Sequence, residues 1–367
     1  MILANQEEEK KLSWLPVFLW ISIPVCFWSY SNNMHENTMS IFTFSSILLY
    51  YKSVKSGKGK VAYLLASGLM VFLASLSKGL PGFFPLGAPF LYYLFVSRNK
   101  FLRVIYECCI LTGIPILIYA ILIQFPHIKL SLSTYLFERA LHRISEDPTV
   151  SSRFYILLRL LTELTPAILI IIIFSIIARH KRLPKPDGRR IRIALFLISL
   201  GISGSLPLMF TMVQKGFYFV PSLPFFAVGF SILISPSVTG LIKRASIQQY
   251  RTGIFQIACI CIFLFSIAFT ILQIGKTNRN KELLHDVYNI GKALPSNSAV
   301  SVMTNVWNEW DLQCYLIRYF TISLDPDSAH RYWLFDKTLH NDIPVNLKKL
   351  EINTNRFELY EDTAQKK

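Results

Sequence analysis

The chain has 367 residues, 52% of them hydrophobic, with 28 Phe and 17 Tyr, a mean hydropathy of +0.41 and a formal net charge of +16. A soluble domain of this size could not keep so many apolar residues off its surface, which excludes a soluble globular protein and implies a multi-span membrane protein. Lys and Arg lie in short blocks between apolar runs, where membrane orientation accounts for them, so nucleic acid is excluded as a partner.

In chain order, a polar tail (1–13) with no signal-peptide cleavage pattern precedes a first span, Trp14 to Tyr30. A polar loop (31–38) leads to a second span, Met39 to Tyr51, and a block of Lys52, Lys55, Lys58 and Lys60. The third span, Val61 to Leu76, ends at a corner, Ser77-Lys78-Gly79-Leu80-Pro81-Gly82, and the fourth, Phe83 to Phe95, returns to Arg98, Lys100 and Arg103. A fifth span (Val104 to Ile123), a long amphipathic loop (124–155) and a sixth span (Tyr155 to Ala178) bring the chain to its most basic segment, RHKRLPKPDGRRIR. A seventh span (Ile193 to Met212) rises to Lys215 and Tyr218, an eighth descends to Lys243 and Arg244, and a ninth (Gly253 to Ile274) leads to a C-terminal region. Cys26, Cys108, Cys109, Cys259 and Cys261 lie within apolar runs and Cys314 stands alone, so they read as packing residues, without a disulfide framework or zinc spacing.

The pattern predicts about nine transmembrane helices (14–274) and a small α/β domain (275–367). With basic blocks cytoplasmic, the N-terminal tail is cytoplasmic and the C-terminal domain extracytoplasmic, which places the 31–38 loop, the Lys78 corner, the 124–155 loop and the Lys215 corner on one outer face. Such convergence points to a site. Glu36 is a candidate acid/base carboxylate, or a helix-start residue favoured by the helix dipole. His35 beside Glu36 is a candidate metal pair, although adjacent residues on a helix point apart. Lys78 is a phosphate-binding cation or an interfacial lysine reaching for headgroups. Arg139 and Arg143, four apart, form a phosphate fork or the polar face of a surface helix. Lys215 and Tyr218 precede Pro221 and Pro224, which break the next helix at its membrane entry.

The ordered set resembles a known superfamily. Asn33-Met34-His35-Glu36-Asn37-Thr38, the Ser-Lys-Gly-x-x-Gly-x-x-Pro corner at 77–85, Phe137-Glu138-Arg139 with Arg143, and the Lys-x-x-Tyr-x-x-Pro-x-x-Pro corner at 215–224 are similar to the GT-C glycosyltransferases that use polyprenyl-phosphate sugars. The nearest relatives implied are the aminoarabinose transferase of lipid A and the protein mannosyltransferases. The resemblance implies an inverting hexosyl- or pentosyltransferase of a bacterial inner or plasma membrane, with a polyprenyl-phosphate-linked donor, a lipid, glycan or protein acceptor, and membrane lipids around it. It implies Glu36 as the second-loop acid, and Lys78, Arg139 or Arg143, Lys215 and Tyr218 at the donor phosphate. It also implies an earlier outer loop with an Asp-Glu pair; none precedes the first span, so the expectation is an incomplete or split copy with a separately encoded N-terminal half. Two alternatives stand beside it: a non-catalytic scaffold, and a lipid or glycan transporter. Mid-span charge, the mark of the transporter, reads as nearly absent.

The chemistry suits these residue types. A departing polyprenyl phosphate gains charge in the transition state, which Lys and Arg stabilise, while a carboxylate takes the acceptor proton. No cofactor is required beyond a candidate divalent metal ion. No Gly-rich nucleotide loop is present, in keeping with a lipid-linked donor.

In the C-terminal region, apolar residues at three- and four-residue steps predict a helix over Lys281 to Leu294, and Ala299 to Met303 a strand. Cys314 to Leu324 and His330 to Phe335 are read as strands, with a turn at Asp325-Pro326-Asp327-Ser328. Trp307, Trp310 and Trp333 are candidates for stacking on sugar rings or for packing.

Overall fold

The computed structural model describes residues 12–32, 34–57, 59–97, 101–141, 148–246, 249–276, 280–338 and 344–363. The chain divides into two compact units, Met1–Phe255 and Gln256–Lys367.

The first unit is helical. Helices α1 (Trp14–Ile21) and α2 (Pro24–Ser31) meet at an 81° bend. Pro24 enforces it, because the residue before a proline is driven out of the helical region, and Ile23 is extended. Next come α3 (His35–Lys55) and α4 (Lys60–Lys78), packed closely where Ser67 Oγ donates to the Ser46 carbonyl (2.8 Å). A 3-10 stretch, Leu80–Gly87, runs into α5 (Ala88–Phe95). Beyond it lie α6 (Phe101–Leu122), α7 (Pro126–Ser133) with a π-helical continuation (Thr134–Leu141), α8 (Tyr155–His180) and α9 (Gly188–Ser205). Short 3-10 turns at Leu206–Phe210 and Val220–Ser222 flank the Lys215 corner, and α10 (Leu223–Ser246) follows. Helix α11 (Gln249–Gln273) runs through the boundary between the units.

Of the nine expected spans, five are carried by helices long and apolar enough to cross a bilayer, those at Lys60–Lys78, Phe101–Leu122, Tyr155–His180, Gly188–Phe210 and Val220–Arg244, and the bent α1–α2 pair makes a sixth if it is one span. Two of the others depart for local reasons. Helix α3 has 21 residues but starts His-Glu-Asn-Thr and carries a run of Ser and Thr, so it is too polar. The expected fourth span is cut by Pro81, Gly82 and Pro85, leaving only eight residues in α5. For the ninth, helix α11 has 25 residues, and Cys259–Gln273 is the apolar stretch among its described residues.

The helical unit has two chemically different ends. Helix α4 separates them by ~28 Å, at 1.5 Å per residue. At its start, Lys60 and Arg103 both contact Glu107 Oε1 (2.9 Å each). The Arg244 guanidinium donates to the Lys181 carbonyl (2.7 Å) and that of Arg190 to Ser235 Oγ (3.1 Å), so four helices contribute to this basic end. At the other end of α4 stands Lys78, beside Glu36 at the start of α3 and the rings of Phe217 and Tyr218.

The second unit ends in a five-stranded sheet of order β2-β1-β3-β5-β4, from β1 (Ala299–Val302), β2 (Ser323–Asp325), β3 (Tyr332–Asp336), β4 (Leu347–Lys349) and β5 (Phe357–Asp362). The β1 pairs are parallel and the β5 pairs antiparallel. Helix α12 (Lys281–Ala293) lies where its periodicity predicts and buries Val287 and Ile290 in the core. One expectation is corrected: most of Cys314 to Leu324 is helix, since α14 (Trp310–Phe320) follows a four-residue helix α13 (Thr304–Trp307) and only Ser323–Asp325 is strand. The Tyr, Ile and Phe of this segment favour a strand, but Leu312 and Leu316 repeat at four residues, and burying that face decides the outcome. Trp307 packs against the core, Trp333 stacks on Phe335 (6.1 Å), and Trp310 is exposed.

Candidate functional site

The site is built where the first polar loop, the Lys78 corner and the late corner meet. Asn37 fixes the start of α3 against the end of α2: its amide donates to the Ser29 carbonyl (2.9 Å) and its Oδ1 accepts from Ser29 Oγ (2.7 Å). Glu36, in the first turn, thereby sits at the positive end of the α3 dipole, and it is 1% exposed. Lys78 is the last residue of α4, where a cation is favoured.

The chain beyond Lys78 turns through two glycines that no other residue could replace without displacement. Gly79 has φ +77° and ψ −142°, and a Cβ there would fall 1.6 Å from the Tyr135 hydroxyl. A Cβ on Gly82 would lie 2.5 Å from the Ala74 carbonyl carbon and the Ser75 nitrogen, so the 3-10 stretch folds back onto α4. Tyr135 of the π-helical segment thus reaches the Lys78 carbonyl, in a long contact of 3.5 Å.

Lys78 Nζ forms an ion pair with Glu36 Oε1, and it stands over the rings of Tyr218 (5.0 Å) and Phe217 (5.7 Å). Phe217 is stacked in turn on Trp28 of α2 (5.3 Å). The corner carrying these rings is anchored by Gln214, which is buried. Its Oε1 accepts from the Ile156 N–H at the start of α8 (2.9 Å), and its Nε2 donates to the carbonyls of Arg153 (3.0 Å) and Thr211 (2.9 Å).

Around the ion pair lies a cavity of about 550 Å³. Glu36, Lys78, Tyr135, Ser203, Thr211 and Tyr218 form its polar side; Met39, Leu80, Phe83, Phe84, Pro207, Leu208 and Phe210 give it apolar walls. A charged pair among apolar lining residues suits an amphiphile with an anionic head: a phosphate could take the place of Glu36 as counter-ion of Lys78, with its hydrocarbon against the phenylalanines.

Glu36, Lys78 and Tyr218 are therefore brought together. Lys215 is not among the cavity's lining residues: Tyr218 N–H closes a turn on the Lys215 carbonyl (3.0 Å) rather than a helix, and Lys215 is exposed. His35 is exposed whereas Glu36 is buried, so the two do not converge on one ion, and among the described residues no group of three or more His, Cys, Asp or Glu could hold a metal. Arg143 and the Arg139 side chain lie outside the described residues.

Two features escape the sequence reading. Tyr135 has no motif, and only the Gly79 conformation brings it to the site. Arg159 and Glu163 are charges within an apolar helix, so mid-span charge is present where its near absence is expected. Arg159 Nη2 pairs with Glu163 Oε1 (2.6 Å), and Glu163 Oε2 accepts the Val25 N–H freed at the α1–α2 break (2.8 Å). The Arg159 side chain lies against Gly216, where a Cβ would come within 3.1 Å of its Nε. The Arg-x-x-x-Glu spacing, one helical turn, is the signal that could have revealed the pair. No protein-family model, curated protein or solved structure matches the chain.

Proposed function

We propose that the chain is a membrane glycosyltransferase of GT-C type, taking a sugar from a polyprenyl-phosphate donor to a lipid, glycan or protein acceptor. The observation that carries this reading is the meeting of Glu36 and Lys78, 42 residues apart, on the wall of an apolar cavity that also presents Tyr218. In this reading the basic end faces the cytoplasm of a bacterial cell and the cavity opens at the outer face of the inner or plasma membrane, with α3, the broken Leu80–Phe95 segment and α11 completing nine spans, and an extracytoplasmic C-terminal domain.

The reaction follows from the pair. The donor phosphate displaces Glu36 from Lys78, so that the arriving anion releases the base it needs. Glu36 then takes the proton of the acceptor hydroxyl, whose oxygen forms the new bond to the anomeric carbon. The bond from that carbon to the phosphate oxygen breaks on the opposite side, and the electron pair leaves with the polyprenyl phosphate. Lys78 meets the charge that develops there. Such a cation contributes about 10²- to 10³-fold in rate, by analogy with one oxyanion-hole donor.

A second reading, a transporter of the same amphiphile, is favoured by one observation: a buried carboxylate, Glu163, paired with Arg159 within a long helix and satisfying a broken one. One experiment separates the two. The full chain in vesicles is given a radiolabelled polyprenyl-phosphate sugar and acceptor lipids, and label is followed both into product and across the bilayer. Transferase action predicts labelled product from wild type and a loss of about 10²-fold or more in Glu36→Gln and Lys78→Gln. Intact donor crossing the bilayer without product supports the transporter; neither, from folded and inserted protein, contradicts both.

A further inference from the structure

The basic end of the helical unit contains two neighbouring tyrosines with opposite fates. The Tyr50 hydroxyl donates to Glu107 Oε2 (3.0 Å), the carboxylate that also neutralises Lys60 and Arg103. That cluster is internally satisfied. Tyr51 is 6% exposed, and its hydroxyl is buried with no hydrogen-bond partner among the described residues. A buried hydroxyl left unpaired is unfavourable, and an ion or water is among the partners that satisfy such groups in native proteins.

The groups over Tyr51 indicate the chemistry of that missing partner. The Lys55 ammonium stands 5.0 Å from the centre of its ring, and the hydroxyl lies in the field of Arg189. Lys55 and Arg189 also feel one another: burial, and then the charge of Arg189, lower the Lys55 pKa. Both are exposed, and among the described residues no carboxylate forms an ion pair with either. Arg189 lies in the first turn of α9, where the helix dipole disfavours a cation; Asp187 is already engaged in capping Arg190 N–H (2.7 Å). Tyr92, whose ring meets that of Tyr51 edge-on at 6.4 Å, also lies in the field of Arg189. Two cations without an ion pair and an orphaned donor lack the same thing.

We infer that Tyr51, Lys55 and Arg189 form a binding site for a phosphate-type anion at the basic end of the helical unit, far from the Glu36–Lys78 cavity. Tyr51 supplies the fixed hydrogen bond, and the two long side chains close over the anion from α3 and α9. The anion is either a phospholipid headgroup or a dissolved phosphate, which present the same oxygens.

The test uses the full chain in phosphatidylcholine nanodiscs. One arm titrates inorganic phosphate; the other incorporates increasing phosphatidic acid; both read the shift in thermal unfolding midpoint for wild type, Tyr51→Phe and Arg189→Gln. Tyr51→Phe is decisive, because it changes no charge and removes only the orphaned hydroxyl. Without anion it should be at least as stable as wild type, whereas with anion it should need about 10- to 150-fold more for the same shift, the range of one hydrogen bond to a charged group. Arg189→Gln should weaken the response at least as much. A response to phosphatidic acid alone identifies a headgroup site, and a response to inorganic phosphate a soluble ligand. Identical responses of wild type and Tyr51→Phe would reduce the site to diffuse attraction and overturn it, as would no response in either arm.

Discussion

The Glu36–Lys78 pair is lopsided, and its energetics follow from that. Glu36 is 1% exposed at its side chain and Lys78 25%, so the two ions do not depend on each other equally. Without Lys78 the carboxylate would stay desolvated and unpaired, a loss of roughly 3 kcal/mol, whereas without Glu36 the lysine can turn toward water, at roughly 1 kcal/mol. Thermal or denaturant melts should therefore find Lys78→Met clearly more destabilising than Glu36→Gln, and the double variant less destabilised than the sum. Equal single effects that add would mean that the ions do not interact. Glu36, Lys78 and Tyr218 were legible because each is a polar residue beside a helix break in an apolar chain. Tyr135 was not, since its position depends on a glycine conformation with no local signature, and Lys215 misled because the residues up to Tyr218 form a turn, not a helix.

At the scale of elements, proline and glycine spacing set the architecture. Pro24 bends the first helix, and Pro81 with Gly82 turns an expected span into a 3-10 stretch and an eight-residue helix. Both breaks are visible in the sequence, but how sharply the chain turns depends on partners far away, Glu163 in one case and the end of α4 in the other. In the sheet unit, the connection from β2 to β3 must cross over β1 in few residues, and a polar cluster pins it. Asp325 accepts from His330 Nε2 (2.8 Å) and from the N–H of Asp327 (2.9 Å), which hold its carboxyl at about 2, below its ordinary 3.8. Ser301 Oγ meanwhile donates to the Ser328 carbonyl (2.8 Å) and accepts from the His330 N–H (2.6 Å). Because the folded carboxyl is the stronger acid, its contribution is complete above 3.8 and is lost as the pH falls toward 2. Amide exchange of residues 327–330, corrected for intrinsic rate, should lose protection between pH 4 and pH 2; unchanged protection would mean that the carboxylate does not hold the turn.

On the scale of the whole molecule, the helical unit is a polar object with a basic end and a cavity end, and α4 carries Lys60 at one and Lys78 at the other. The alternation of basic blocks made this division readable before any packing was known, since each block returns to the same side after each pair of runs. Which runs are long enough to span was less readable, because composition does not reveal where a helix yields to 3-10 geometry. On the two proposals made above, this division separates two anion sites, one at each end, with different roles. The cavity has apolar walls and a counter-ion that a donor phosphate would displace, as turnover needs; at the basic end Lys55 and Arg189 have no ion pair among the described residues, as anchoring needs.

The measurement that bears most directly on the cavity is photo-crosslinking of the full chain in nanodiscs with a polyprenyl phosphate carrying a photoreactive group near its head, followed by peptide mapping. Label is expected on the peptides containing Phe83, Phe84, Leu208 and Phe210, competed by unlabelled polyprenyl phosphate but not by the uncharged polyprenol, and lost in Lys78→Gln. Label distributed over the lipid-facing helices, or label at the cavity that neither Lys78→Gln nor the competitor reduces, would contradict it.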